Sequence, residues 1–442
     1  MTATTRTLPR TGLPPAVTAG TLLTALAGIN LLIVVILFVT TDLPVKNSLI
    51  ETGRFFGVLA AYAIILQIFL IARLPWLDNR IGMDRLTSWH RRVGFSLFWT
   101  LTLHLAFIVA GYARLDGNPL LVQALSLAGS VPVLLGMAAY LIVLAVAVMS
   151  IRYARRRLQY ETWHAVHLGL YAAVALALIH QLFEVTTFTA TRAAAAYWWT
   201  LWILAVAALA AGRLILPLVR NARHQFRVSA VVPESDDVVS VHVTGRDLDR
   251  LPARAGQFML WRFPGHNTWW QVNPFSLSAA PDGTSLRLTA RAVGTTSAGL
   301  RRLTPGARVF AEGPYGAFTT AQRVREKTLL IAGGVGVTPI RALLEELRGD
   351  AIVLYRVRSA DDAVLLSELK ALAGDHVHVL TGRSSVVQPF TPANLATVVP
   401  DITDRDVYVC GPPAMTEAVL RSLRELGVPP AQTHAERFSL AS

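Results

Sequence analysis

Residues His90-Arg-Arg-Val-Gly-Phe-Ser-Leu-Phe-Trp-Thr-Leu-Thr-Leu-His104 decide the reading of the first half of the chain. They place two histidines 14 residues apart on one apolar segment. At 1.5 Å per residue the two differ in height by roughly 21 Å, most of a hydrocarbon layer. Ionisable or metal-binding side chains at such depth are costly, so they point to function. The surrounding sequence makes the membrane setting firm. Apolar stretches of about 20 residues lie near 17–40, 53–74, 92–112, 131–151, 164–183 and 196–219, each long enough to span as a helix. The first lacks a small-residue cleavage site and reads as a span rather than a signal peptide.

Composition agrees. The 442 residues are 53% hydrophobic and only 16% charged, against about 25% charged in soluble domains. Disorder is excluded. The net charge of +13 is concentrated in loops. Arg73, Arg80, Arg85, Arg91 and Arg92 lie between spans 2 and 3, Arg152 and Arg155–Arg157 between spans 4 and 5, and Arg220, Arg223 and Arg227 follow span 6. The remaining loops carry Lys46, Arg54, Arg114 and Arg192. The excess is a topology signal that places both termini in the cytoplasm, with the chain in the plasma membrane. It does not form the basic surface with interleaved aromatics that a nucleic-acid partner needs. A single cysteine, Cys410, excludes an intrachain disulfide, a Cys-ligated cluster and a Cys-based zinc site within the chain.

A second histidine pair, His167 and His180, is 13 residues apart on span 5, roughly 20 Å in height. Spans 3 and 5 run in the same direction, so His90 matches His167 in depth and His104 matches His180. Two stacked bis-histidine sites follow, each able to hold a haem iron by two axial imidazoles. The angular condition is not met by straight helices. His90 and His104 are about 40° apart in phase, but His167 and His180 are about 140° apart, so span 5 must bend, twist locally or approach the two haems from different sides. His164 is about 160° from His180 and fits the inner depth less well; it falls to a propionate or to the headgroup boundary.

Past residue 222 short alternating runs begin: Phe226–Val232, Val238–Val243, Gln257–Phe263 and Ser285–Ala290, separated by turn residues. They predict a small antiparallel β-barrel. From Lys327 continuous apolar strands alternate with helices, which predicts a parallel α/β sheet. The expected layout is multi-domain: a disordered tail over 1–16, a six-helix transmembrane bundle over 17–221, a β-barrel over 222–325 and an α/β nucleotide-binding domain over 326–442.

Motifs in the second half suggest a flavin and a nicotinamide nucleotide. Asn273-Pro274-Phe275-Ser276 offers a straight backbone, an aromatic to stack on an isoalloxazine and a hydroxyl for its polar edge. Arg291, Gly294 and Ser297 combine a cation, a close-approach glycine and a hydroxyl at a helix start, a phosphate-binding arrangement. Gly333-Gly334-Val-Gly336-Val-Thr338-Pro339 lies between a strand and a helix, the context of a pyrophosphate turn. Cys410-Gly411-Pro412 is a second such turn; the thiol reads as reacting group or as a small buried hydrophobe. Arg356, Arg358 and Ser359 follow the second strand, where they grip an adenosine 2′-phosphate and favour NADPH over NADH, or form a solvated loop.

Together these pieces resemble the ferric reductase and NADPH-oxidase superfamily over about residues 50–442. The resemblance is carried by His90-Arg-Arg-Val-Gly through His104, by Tyr160-Glu-Thr-Trp-His-Ala-Val-His167 through His180, and by the flavin and nucleotide motifs. Asn273 stands where the family has histidine in its flavin motif, and Ile108 stands where the oxidase branch has a second histidine. The resemblance implies electron transfer from cytoplasmic NADPH through FAD to an inner haem b on His90 and His167. An outer haem b on His104 and His180 then serves an acceptor outside. That acceptor is a ferric chelate, oxygen, or a quinone or periplasmic partner. Cys410 and Phe438, the latter as a ring shielding the flavin, are the implied catalytic residues. Two other classes fit the same residues: a non-haem transporter with a fused regulatory reductase domain, and a cytochrome subunit relaying electrons to a partner.

Overall fold

The computed structural model describes residues 15–41, 44, 46–151, 160–184, 188, 190–265, 271–347, 350–382 and 388–437. Of the expected tail over 1–16, residues 1–14 lie outside the described residues, as do the basic residues Arg152 and Arg155–Arg157 and Phe438, while Pro15 and Ala16 already belong to the first helix.

Among the described residues six helices are long and apolar enough to cross a membrane. They are built from α1 (Pro15–Thr40), α2 (Ser48–Ile71), α4 (Met83–Asp116), α6 (Val131–Ser150), the pair α7 (Tyr160–Leu168) and α8 (Leu170–Glu184), and α9 (Arg192–Ala210), which runs through a π-turn at Ala211–Ile215 into α10 (Leu216–His224). Short helices α3 (Pro75–Ile81) and α5 (Leu120–Leu127) fill loops. The starts are chemically marked. Asn47 Oδ1 accepts the Ile50 N–H at α2, and Thr191 Oγ1 accepts the Ala194 N–H at α9. Many large apolar side chains on these helices are exposed, Leu22, Phe95, Leu141 and Ile203 among them, as lipid-facing surfaces require.

Span 5 is interrupted at Gly169. The helix stops at Leu168, Gly169 N–H turns back to Val166 O, and a new helix begins at Leu170. The first histidine of the span is thus on α7 and the second on α8.

The chain divides into two compact units. One holds Leu22–Ala72 and Leu86–Ala211; the other holds Met1–Thr21, Arg73–Arg85 and Gly212–Ser442. The second unit contains two three-stranded antiparallel sheets and one parallel sheet. The first sheet is ordered β1 (Arg227–Pro233), β2 (Val238–Thr244), β5 (Ser285–Arg291); the second is β4 (Asn273–Ser276), β3 (Phe258–Arg262), β6 (Phe310–Tyr315). A bridge between Leu277 and Leu288 joins them over one core that includes Val241, Trp261 and Leu288. A short helix, α11 (Thr295–Gly299), follows β5. The parallel sheet runs β11 (Thr433–Arg437), β10 (Arg405–Gly411), β7 (Lys327–Gly333), β8 (Ala351–Arg356), β9 (Val377–Leu380). Its helices are α12 (Val337–Leu347), α13 (Leu366–Ala373), α14 (Pro392–Val398) and α15 (Pro413–Glu425). The central strands β7 and β10 are buried on both faces, which is why they read as unbroken apolar runs.

Candidate functional site

In the membrane unit four histidines meet in two pairs. The rings of His90 and His167 have centroids 6.1 Å apart at 69°, and those of His104 and His180 have centroids 6.4 Å apart at 65°. Two axial imidazoles on one iron place their ring centres roughly 6 Å apart, given metal–nitrogen bonds of about 2 Å. Both pairs therefore have the spacing of a shared metal. His164, by contrast, is exposed on α7. No cluster of three or more His, Cys, Asp or Glu suited to a metal occurs among the described residues, so metal binding would rest on these pairs.

The outer pair is held in a repeated way. His104 Nδ1 lies 2.9 Å from Gly53 O on α2, and His180 Nδ1 lies 3.0 Å from Pro132 O on α6. A carbonyl only accepts, so each Nδ1 carries the proton and each Nε2 keeps its lone pair for a metal. One turn beyond each carbonyl stands a glycine. A Cβ added at Gly57 would come 2.7 Å from His104 Nδ1, and one at Gly136 would come 2.9 Å from the His180 ring. The two glycines form cradles that only a missing side chain leaves open. At the inner pair the Trp163 indole stacks on His167 with centroids 4.9 Å apart at 27°, and its N–H reaches Ser150 Oγ.

The flavin motif forms β4, paired with β3 so that Asn273 faces Trp261 and Ser276 faces Phe258. Trp261 Nε1–H donates to Phe275 O, and Ser276 is buried. Pro274 has Leu260 as its strand partner. Arg291 ends β5 and pairs with Asp237. Gly294 opens α11, and Ser297 Oγ accepts the N–H groups of Val293 and Gly294.

An unforeseen group completes this side. Helix α3 docks on the barrel through Asp78, whose Oδ2 accepts the Gly316 N–H at 2.6 Å, and through Asn79, which accepts from Gln257. Arg73 and Arg262 both pair with Glu312. Burial pushes the Asp78 carboxyl up to about 6, against the Gly316 hydrogen bond and the Arg73 charge, while Asp84 reinforces the rise. The folded chain thus holds this proton more tightly than the unfolded chain does. That contribution to stability is complete below the ordinary value of 3.8 and is lost as pH rises through about 6. Asp78→Asn keeps an acceptor for Gly316 but cannot ionise. The temperature of flavin release should therefore fall less between pH 5 and pH 7 in the variant than in the parent, and equal slopes would exclude Asp78 as the titrating group.

On the nucleotide side β7 ends at Gly333, Gly334–Gly336 make a tight turn with Gly334 at φ +54°, and α12 starts at Val337. Thr338 Oγ1–H donates to Val335 O, and Pro339 lies buried in the first turn of α12. A Cβ at Gly336 would lie 2.3 Å from Cys410 O, so this turn packs directly on the Cys410-Gly411-Pro412 turn of the adjacent strand. Cys410 is fully buried in the core beside β7 and α12, and burial pushes its thiol well above the usual range. Its immediate surroundings are the apolar side chains of that core. Glu436 sits opposite Cys410 in the β10–β11 register, and burial pushes its carboxyl up too. The sequence of β11, Thr433-His-Ala-Glu-Arg437, has no apolar run to mark it as a strand.

Arg356 requires a correction. It was grouped with Arg358 and Ser359 as a phosphate grip, but its guanidinium is buried and donates to Leu380 O and Thr381 O, tying β8 to the end of β9. Arg358 and Ser359 are the exposed groups of that loop, with Ser359 capping the next turn through Asp362.

Three family profiles match consecutive parts of the chain. Residues 56–178 match a ferric reductase like transmembrane component, 223–319 an FAD-binding domain and 330–421 an oxidoreductase NAD-binding domain. The soluble half is 34% identical over 238 residues to ferredoxin–NADP reductase B of Sorangium cellulosum, covering 48% of this chain and 96% of that protein. It is 26% identical to the ferredoxin–NAD(P)(+) reductase component of the naphthalene 1,2-dioxygenase system of Pseudomonas putida, covering 47% and 73% of the two chains. Among solved structures it matches the flavohem-like FAD/NAD-binding domain of nitric oxide dioxygenase from Vibrio cholerae at 26% identity, TM-score 0.42, over 49% of this chain and 99% of that one. Fold, motifs and relatives define a multi-pass membrane flavoprotein that is an NAD(P)H-dependent oxidoreductase. The chain belongs to the ferric reductase and NADPH-oxidase superfamily.

Proposed function

We propose that the protein moves electrons from cytoplasmic NADPH through FAD and two haems b to an acceptor across the plasma membrane, a ferric chelate or oxygen. One observation supports this above others: two imidazole pairs with metal-sharing separations, set at different depths on α4 and on the broken span 5. His90 and His167 would hold the inner group, and His104 and His180 the outer. When bound, a flavin would supply two-electron acceptance from the nicotinamide and a haem iron would supply one-electron transfer. The chain itself supplies placement. Gly53 O and Pro132 O fix the outer imidazoles, the Gly333–Pro339 turn receives the pyrophosphate, and β4 carries the flavin ring.

Ile108 favours the ferric chelate. It follows His104 by one turn and packs on Gly53, where an added Cβ would come 2.8 Å from its Cγ1, so that position offers no second imidazole. The test is the purified chain. Two b-type haems by pyridine haemochromogen assay, with NADPH turnover that ferric chelate accelerates more than oxygen does, are expected. Absence of a haem spectrum would turn the reading toward the transporter class. Arg358→Ala should weaken NADPH far more than NADH, roughly tenfold or more for one lost charged hydrogen bond. Equal loss for both nucleotides would remove Arg358 from the 2′-phosphate site.

A further inference from the structure

Four charged side chains form a closed circuit between the flavin barrel and the nucleotide domain. It begins two residues past the flavin motif. Arg287, on β5, donates from Nη2 to Ser278 O at 2.7 Å and from Nε to Ser278 Oγ at 3.1 Å. Its outer edge grips Glu368 of α13 through two parallel bonds, Nη1 to Oε1 and Nη2 to Oε2, each 2.9 Å. Glu368 Oε2 lies 2.7 Å from Arg341 Nε on α12, an ion pair without the alignment of a hydrogen bond. Arg341 pairs with Glu345 one turn along the same helix. Glu345 then accepts the Ala280 N–H at 2.9 Å, and the circuit returns to within two residues of its start.

We propose that Arg287 and Glu368 are positioning residues for hydride transfer. Through Arg341 and Glu345 they set helix α12, and with it the Gly333–Pro339 turn at its N-terminus, in fixed register with the flavin strand.

Three features separate this from general adhesion. The two domains already share apolar burial, with Val238, Ala255 and Phe318 of the barrel side packed among Leu330, Ile340 and Leu343. Apolar burial is non-directional and leaves room for sliding. Next, Arg287 and Arg341 are only 10% and 12% exposed, and the desolvation cost of such charges offsets much of their Coulomb attraction, so stability gains little. Last, the geometry is that of a locator. The forked Arg287–Glu368 pair fixes direction as well as distance, and Glu345 fixes a backbone N–H beside it. Burial alone would raise the Glu368 carboxyl, yet the hydrogen bonds of Arg287 and the charges of Arg287 and Arg341 hold it below the usual range, so it stays ionised.

The inference rests on the NAD(P)H–flavin half-reaction alone and is independent of the haem reading. It is tested with the full-length, FAD-loaded protein by anaerobic stopped-flow, following flavin bleaching with the faster of NADPH and NADH. Glu368→Gln keeps shape and removes charge; Arg287→Lys keeps charge and removes the fork. Both should lower the limiting rate of flavin reduction by about tenfold or more, because hydride transfer tolerates little displacement of the reacting atoms. Nucleotide dissociation constants should change less than threefold with bound FAD retained, and Arg287→Lys, which keeps the charge pair, should hold its thermal midpoint better than Glu368→Gln, which leaves two buried guanidinium groups without their carboxylate. The deuterium isotope effect with 4-deuterated nucleotide should persist or grow. Limiting rates within twofold of the parent would overturn the proposal. So would a rate loss that follows loss of FAD or of thermal stability in both variants, since the circuit would then be structural.

Discussion

Replacing His104 or His180 by leucine should, on the proposed two-haem assignment, reduce the haem content from two per chain to one and lower reduction of the terminal acceptor by at least ~100-fold. Loss of even an outer-shell partner costs a metal site ten- to a hundredfold, and on the proposed assignment these substitutions remove a primary ligand. The remaining imidazole keeps its carbonyl partner, Gly53 O or Pro132 O, so each ring stays oriented but has only one side of a metal to hold. Flavin reduction by NADPH belongs to the other compact unit and should continue at the parental rate. The measurements are pyridine haemochromogen content and anaerobic flavin bleaching. Unchanged haem content in both variants would remove these histidines as ligands.

The second large effect is expected at Gly336. Its missing side chain lets the pyrophosphate turn lie against the backbone of β10, where a Cβ would sit 2.3 Å from Cys410 O and 2.6 Å from its carbonyl carbon. Backbone atoms of a central buried strand cannot swing aside, so Gly336→Val must lift the turn off the sheet. NAD(P)H affinity should fall by roughly 100-fold while FAD is retained, a loss of close backbone approach at a phosphate site. Gly334 supplies the contrast. No atom lies within 4 Å of a Cβ there, and the objection to a side chain is only φ +54°, so Gly334→Ala should cost far less, about 1 kcal/mol. Equal affinity losses at the two positions would show that conformation and not close packing governs the turn. Titration of the FAD-loaded protein with nucleotide measures both.

Much of this architecture was readable without coordinates because its causes are local. An apolar run of about 20 residues signals a span wherever it occurs, and equal spacing of histidines on co-directional helices predicts shared depth. The phase mismatch on span 5 was visible as well. The interruption at Gly169 was not, since several positions could have carried it. What stayed hidden depends on partners far along the chain. Asp78 lies in a seven-residue helix with no usable periodicity, and its partner, the Gly316 N–H, is 238 residues away. The Arg287–Glu368 pair joins residues 81 apart. Arg356 was found at the right loop but aimed wrongly, because composition reveals a cation and not the two carbonyls at the end of β9 that capture it.

The interruption at Gly169 also predicts how span lengths can be edited. On the continuous helix α4 a residue inserted between His90 and His104 rotates one ring by about 100° relative to the other, and both pairs cannot then be satisfied. On span 5 the two histidines sit on separate helices, α7 and α8, with a one-residue interruption at Gly169 between them. An extra residue at that joint changes the turn and leaves each helix's own facing intact. Insertions should therefore be tolerated on one side of each ring pair and not on the other, which makes span 5 the adjustable rail against which the fixed spacing of α4 is matched.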